Sequence, residues 1–589
     1  EAKLWWPDAP QLYVLQTDLE PATGARDRHL ERFGFREFRH EGISFRLNGM
    51  RVKLRSKWAG VGSGYGWALE QWQPERRLER LWEAHWYTRE IESSQLSRCH
   101  NMDSVPEVCD IADESGLMIK VEEADFAQQK FTFDPAYWQN ALAHHRRVVD
   151  TYKNHPSVVI WSAGNENMWG WLYLGESVKT AGNRHQIEIA RAMHEHDLQH
   201  RPVEWEADGD LMGGWEYYAL HYPREINAAP DVPNGAWWGP LDGKTVVPYS
   251  MGPITLGAKP LTVGESCIPD SFAHPYGQTI LLGDEAYLGG NYWWEGWHEL
   301  SRYTINGFRD VEFALIDPYI DLAMLPPQAV VLKEEIRSVV GGQPVQRHAN
   351  VHNDVMRPAD LLLRWNLTAQ KRLAGGEKTL HMAPAELQRL TLAIPTPAVA
   401  APTPARLTVE LLESGHVVNT QTQDWTLHPP VKVQAGDTSA LALYDPVGDT
   451  AATFRRLGLA LRPLPALGEV TGSGLVIGRN ALKQPPEGPW REMLSGFVRQ
   501  GGKVLILEQD GAPDFLPVPV SQIAGRNSTI AHVRATDHPA LSGLAADDLR
   551  WWAPDHLVSS GNLRKPLRGN WLPLVDVGSV DGLVDTALM

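Results

Sequence analysis

Between residues 43 and 327 the chain repeats one unit: a short apolar run, a break, then a stretch with helical spacing of apolar residues. This repetition constrains the fold more than any other feature, because strands alternating with amphipathic helices bury their apolar faces as a parallel sheet under helices. The apolar runs fall at 52–55, 93–96, 117–121, 157–161, 203–206, 217–221, 261–264 and 290–294. Between them, "PERRLERLWEAHWYTREI" and "PAYWQNALAHHRRVVDTYKNH" carry the helical period. The pattern predicts a (β/α)₈ TIM barrel over 43–327.

The flanks have other periods. Residues 1–42 hold two strand-like pieces, "QLYVLQTDLE" and "HLERFGFREF", which read as the end of an immunoglobulin-like β-sandwich. Two strands cannot bury a core alone, so the upstream part is expected to be absent from this chain. Residues 328–430 alternate apolar and polar positions between turn signals, predicting a β-sandwich domain. Residues 431–589 open with "LALYDP", "GLVIG", "WREMLSGFVRQGG" and "KVLILEQ". This order of strand, helix and strand predicts a small parallel α/β accessory domain, flavodoxin-like or amidotransferase-like. Its glycines, Gly472, Gly474 and Gly478, lack the dinucleotide fingerprint. The expected fold class is therefore multidomain, a TIM barrel with flanking β-sandwiches and a C-terminal α/β domain.

Composition narrows the partners. A formal charge of -17 without clustered Lys and Arg argues against nucleic acid. No apolar run approaches the roughly 18 residues of a membrane-spanning helix. Cys99, Cys109 and Cys267 form neither a metal cluster nor a complete set of pairs. The 24 tryptophans supply flat apolar faces suited to stacking on sugar rings.

Chemistry concentrates at strand ends. The segment "NHPSVVIWSAGNEN" carries a buried-looking run into Gly164, Asn165 and Glu166, and "KPLTVGES" carries another into Glu265. Carboxyl ends of barrel strands are where catalytic groups gather. Two carboxyl groups about 5 to 5.5 Å apart are what cleavage of a glycosidic bond with retention needs. Alone, the first segment also fits a polar helix cap and the second an ordinary acidic turn. Glu204, Glu206 and Glu216 compete with Glu265 as strand-end acids. Tyr222 in "LHYP" could donate to the nucleophile and keep it ionised, although a register error of one residue would put His221 there instead. Trp293 and Trp294 in "GGNYWWEGWHE" are expected to end the eighth strand, one of them flooring the sugar site. Trp237 and Trp238 fall in a long irregular segment that could wall it.

Several motifs carry a family resemblance: "LWWPDAPQLYVLQTDL", "ERFGFREF", "ISFRLNGMRVKLRS", "CHNMDSVPEVCDIADESGLMIKVEEADF" and "NHPSVVIWSAGNEN". In this order, over about residues 3–300, the chain resembles glycoside hydrolase family 2, which includes β-galactosidases, β-glucuronidases and β-mannosidases. The resemblance implies Glu166 as general acid/base, Glu265 as nucleophile, and Asn165 as donor to the hydroxyl beside the reacting carbon. It further implies His100 and Glu123 as sugar-binding groups. Two departures lie near the expected mouth: "KWAGVGSGYGWALE" follows "VKLRS", and Ser97 stands where an arginine is expected, with Arg98 beside it.

The implied activity is a retaining, exo-acting β-glycosidase working by double displacement, most similar to β-galactosidases. Glucuronide, galacturonide or mannoside specificity, or a catalytically silent carbohydrate-binding protein, are the alternatives. No cofactor is required by that chemistry, with a Mg²⁺ or Na⁺ site left open. The expected partner is carbohydrate, with no nucleic acid, no membrane, and homo-oligomer formation open. A periplasmic or secreted location is favoured over a cytoplasmic one.

Overall fold

The computed structural model describes residues 2–58, 74–100, 106–122, 134–167, 175–223, 240–249, 252–267, 275–288, 291–430, 438–483, 486–523, 527–553, 555–579 and 581–589. At its centre, eight parallel strands form a barrel: β1 Leu54–Trp58, β2 Leu96–His100, β3 Met118–Glu122, β4 Val158–Asn165, β5 Val203–Glu206, β6 Tyr218–His221, β7 Leu261–Ser266 and β8 Leu315–Pro318. The sheet order is β5-β4-β3-β2-β1-β8-β7-β6, so β8 pairs with β1. At the β5/β6 seam, Tyr249 bridges the two sides through its hydroxyl, which reaches the carbonyls of Ala207 and His221 at 3.2 Å each.

Helices α1 Arg77–Trp86, α2 Glu107–Ser115, α3 Pro135–Tyr152 and α4 Glu176–His196 cover β2 to β5, and α5 Pro275–Leu282 and α6 Asn291–Asp310 cover the β7–β8 side. Helix α3 starts where the sequence allows: the Asp134 side chain accepts from Ala136 N–H and Pro135 takes the first turn, where its missing N–H costs nothing. Outward strand residues Ile119, Val121, Trp161, Val203 and Trp205 meet α2, α3 and α4 in one apolar cluster. The opposite end of the barrel is plugged. A three-stranded meander of Phe38–Glu41, Ser44–Leu47 and Met50–Val52 inserts Phe38, Phe45 and Leu47 against Leu96, Met118, Val159 and Leu315.

Two strand expectations move. The first two barrel strands begin and end later than their apolar runs, because Val52 belongs to the plug and β2 continues through Ser97, Arg98 and Cys99. The eighth strand is Leu315–Pro318, and "NYWWEGWHE" opens helix α6 instead. Three consecutive aromatic residues, Tyr292, Trp293 and Trp294, imitate a strand in a short window. Read over its whole length, the segment buries Trp297, Leu300, Tyr303, Thr304 and Phe308, a helical spacing.

Residues 328–428 form a sandwich of a three-stranded and a five-stranded sheet around one apolar cluster that includes Leu363, Leu407 and Trp425. Strands Leu441–Tyr444, Arg462–Pro463, Gly474–Ile477 and Lys503–Ile506 make the expected parallel sheet, with helices Asp449–Arg456 and Trp490–Arg499. Beyond it the chain departs from a single α/β unit, because strands between Ser521 and Leu588 form a separate five-stranded sheet that is antiparallel. This sheet docks on α5, where Gly578 runs so close that a Cβ would lie 2.2 Å from the Thr279 carbonyl. No helix among the described residues is long and apolar enough to cross a membrane.

Candidate active site

Strand alternation carries charge into the barrel. In β3, Lys120 and Glu122 face inward between outward Ile119 and Val121, and in β5 Glu204 and Glu206 do so around Trp205. All four are buried, so each charge needs a partner. Arg98, inward on β2, donates to Glu122 Oε2 at 2.5 Å and Oε1 at 3.1 Å, to the Gly264 carbonyl at 2.9 Å, to Glu265 Oε1 at 3.0 Å and to Asn165 Oδ1 at 3.1 Å. Lys120 bonds Glu206 and lies 3.5 Å from Glu204. Burial and the Glu206 charge push Glu204 well above the usual carboxylate range, whereas Lys120 and His221 overcome burial and hold Glu206 well below it. Glu206 therefore takes the charge and Glu204 the proton.

Above this layer stand two further carboxylates. Glu166 follows β4 in the left-handed region (φ 53), its N–H donating to the Glu206 carbonyl at 2.9 Å. That turn sets its side chain at the rim, 32% exposed. Gly164 permits the approach, since a Cβ there would lie 2.5 Å from the Trp205 indole nitrogen. Glu265, within β7, is more enclosed. It accepts from Arg98, and its Oε2 accepts from the Tyr222 hydroxyl. Burial alone would raise its affinity for a proton, but His221, Arg98, Tyr222 and Tyr319 outweigh burial and keep its carboxyl below the usual range. One carboxylate oxygen of Glu166 and one of Glu265 lie within 4.8 Å of each other.

Both residues of the His221–Tyr222 pair reach the centre. The ladder between β6 and β7 shifts between Leu220 and His221, and Tyr222 adopts φ 47, so strict alternation ends there. His221 is fully buried, with Nδ1 2.7 Å from Glu166 Oε1 and 3.7 Å from Glu265 Oε2, and Nε2 3.3 Å from Glu206 Oε1. Burial pulls its proton affinity down, but Glu265, Glu166 and Glu206 together raise it to about 9. Glu166, His221 and Glu265 each bring one ligand atom within 4.8 Å of the others, as a metal-binding trio would, with His221 Nδ1 directed at Glu166 Oε1 at 2.7 Å.

The remaining expected residues fare differently. Asn165 ends β4, and since Arg98 can only donate, the atom facing it is the amide oxygen and the NH₂ group is turned away. His100 ends β2, but its side chain lies outside the described residues, as do Glu123, Trp237, Trp238 and the Trp293 side chain. Trp294 is 51% exposed on helix α6 rather than at a strand end, so the eighth-strand floor is not where that expectation put it. Glu216 sits before β6, away from the mouth, bonded to His194 and to Val203 N–H.

Arg98, Lys120 and Glu122 were not singled out as site residues from the sequence, and Glu206 only as a rival strand-end acid. Their signal is visible in hindsight. "IKVE" and "VEWE" place two charges two residues apart inside apolar strands, which puts both on one face.

Comparison with known proteins adds the lineage. Residues 100–225 match the description "Glycosyl hydrolases family 2, TIM barrel domain", and residues 1–36 match "Glycosyl hydrolases family 2". Over these two stretches the chain is similar to glycosyl hydrolase family 2. A putative β-glucuronidase of Formosa agariphila is 29% identical over 179 residues, covering 28% of this chain and 16% of the relative. β-Galactosidase BoGH2A of Bacteroides ovatus is 30% identical over 177 residues, covering 29% of this chain and 20% of its own. Among solved structures, a β-D-mannosidase from Dictyoglomus thermophilum aligns with 73% of this chain and 58% of its own, at 14% identity and a TM-score of 0.45. Thus the chain spans well under two thirds of the length of the curated relatives it matches. Glu265 lies outside the matched barrel segment, so its place beside Glu166 is a finding of this chain's own geometry.

Proposed function

We propose that this protein is a retaining, exo-acting β-glycosidase. The observation that carries the reading is the approach of Glu166 and Glu265, with carboxylate oxygens within 4.8 Å. Inverting enzymes hold their two carboxyl groups about 6.5–9.5 Å apart to seat a water, whereas retaining enzymes hold them about 5–5.5 Å apart. Electrostatics divides the roles. Glu265, kept ionised by His221, Arg98, Tyr222 and Tyr319, attacks the anomeric carbon and forms a glycosyl ester. Glu166, at the rim, protonates the departing oxygen and then takes a proton from the water that cleaves the ester. Asn165, its amide oxygen held by Arg98, offers its NH₂ to the hydroxyl beside the reacting carbon. This chemistry calls on no cofactor.

The sugar we assign first is a β-galactoside, following the resemblance and the name of the Bacteroides relative; the name of the Formosa relative makes a β-glucuronide the second substrate to test. The experiment is hydrolysis of a panel of aryl β-glycosides by the protein and by Glu166→Gln and Glu265→Gln. One glycoside should turn over, with about 10²–10⁴-fold less activity in Glu166→Gln and essentially none in Glu265→Gln. Full activity in either variant would sink the assignment. Sugar binding without turnover in the parent protein would favour the silent carbohydrate-binding reading.

A further inference from the structure

The sequence left His221 as the alternative to Tyr222 beside the nucleophile, and the structure packs its ring among three carboxylates. Its side chain is fully buried, Nδ1 is spent on Glu166 and Nε2 faces Glu206 in ion-pair contact. Groups from several strands surround it. Glu166 comes from the end of β4, Glu206 from β5, Glu265 from β7, and Arg98 opposes them from β2. Tyr222 adjoins the ring on its own strand, and the Tyr249 hydroxyl engages only the His221 main chain. Lys120 bonds Glu206 from beneath.

We propose that His221 is a positioning residue: a buried imidazolium, seated on Glu206 and Lys120, that clamps Glu166 by Oε1 and leaves Oε2 to exchange the proton. The inference rests on the double-displacement reading above.

The charge balance of that reaction explains why a fixed cation belongs there. At the start Glu265 is a carboxylate and Glu166 a carboxylic acid. In the first step a Glu265 oxygen forms a bond to the anomeric carbon as the bond from that carbon to the leaving oxygen breaks, and the proton on Glu166 Oε2 passes to that oxygen. Glu265 has then lost its charge to the ester and Glu166 has gained one. The second step reverses both changes, with water giving its proton to Glu166 and its oxygen to the sugar. The negative charge thus hops between two groups that lie 2.7 and 3.7 Å from the same Nδ1. A cation touching both stabilises either arrangement without moving, which is what preorganised electrostatics requires. The clamp also fixes which Glu166 oxygen faces the substrate.

The test separates charge from hydrogen bonding. His221→Asn retains an N–H donor near the Nδ1 position and loses the charge. Without that charge Glu265 holds its proton to higher pH, so the acid limb of the kcat/KM profile should move up by about one unit or more, with kcat falling more than KM changes. A purely structural histidine would lower the yield of active protein and leave the profile where it was, and that result overturns the proposal.

A second measurement needs no turnover. With ¹⁵N-labelled histidine, the resonance missing from His221→Asn identifies the ring, which should read as imidazolium at pH 7.5. A neutral ring there overturns the proposal. Failure of the glycosidase reading looks different: Glu166→Gln would be as active as the parent. A dead Glu166→Gln with an unshifted His221→Asn would remove only the role given to His221.

Discussion

Arg98 donates from inside the barrel to Glu122, Glu265 and Asn165, so removing it strands two buried carboxylates at once. Breaking a buried ion pair from one side costs about 3–5 kcal/mol, and Arg98→Met should lower the urea midpoint accordingly. Arg98→Lys restores the charge but not the planar fork that serves three partners, so it should recover only part of the loss. Equal stability of Lys and Arg at this position would show that charge alone matters. Reading from sequence, Arg98 looked like a displaced arginine beside an unexpected Ser97. The fold turns it into the central donor, because only the barrel's closure brings β2 within reach of β7.

At the scale of elements, β7 depends on a missing side chain. A Cβ on Gly264 would lie 1.6 Å from Glu206 Oε1, so Gly264→Ala must push aside the carboxylate that supports His221. The expected outcome is a loss of both thermal stability and activity, read by thermal unfolding and aryl-glycoside hydrolysis. An alanine variant with unchanged values for both would refute the close approach. The start of β6 makes a pH prediction. His194, His40 and Val203 N–H overcome burial and bring the Glu216 carboxyl down to about 2. A carboxyl lowered on folding stabilises the fold above its unfolded value, about 4.3, and loses that stabilisation as pH falls towards 2. Acid unfolding between these values should therefore be less steep in Glu216→Gln than in the parent. Identical acid transitions would contradict it.

At the scale of the molecule, the plug closes one end of the barrel and the C-terminal sheet docks on α5 outside it. Phe45 is fully buried in the plug, and Phe45→Ala should cost about 3–5 kcal/mol, measured by denaturant unfolding. The C-terminal sheet is pinned to α5 through Thr279 Oγ1 donating to the Ser579 carbonyl at 3.2 Å and through the contact at Gly578. Gly578→Ala should loosen this docking and split thermal unfolding into two transitions, whereas one unshifted transition would show that the sheet is held elsewhere. None of this docking is visible in local periodicity. The sheet runs antiparallel through short strands between Ser521 and Leu588, whose apolar residues gather with Leu541 and Leu549 in a cluster of their own.

What the sequence determined by itself is what depends on neighbours in the chain. Apolar runs and helical spacing located seven of the eight barrel strands at least in part, and the strand-end acids Glu166 and Glu265 stood out from their local context. The eighth strand was lost because six residues of "GNYWWE" cannot be told from a strand until the burial of Trp297 to Phe308 is known. Only the tertiary structure decided which charges meet. Arg98, Lys120, Glu206, His221 and Glu265 lie on five different strands, and a charge pair across a barrel leaves no trace in the spacing of either partner. The separation of Glu166 from Glu265, from which a retaining mechanism is argued, is set by barrel closure, the left-handed turn at Glu166 and the register shift before His221.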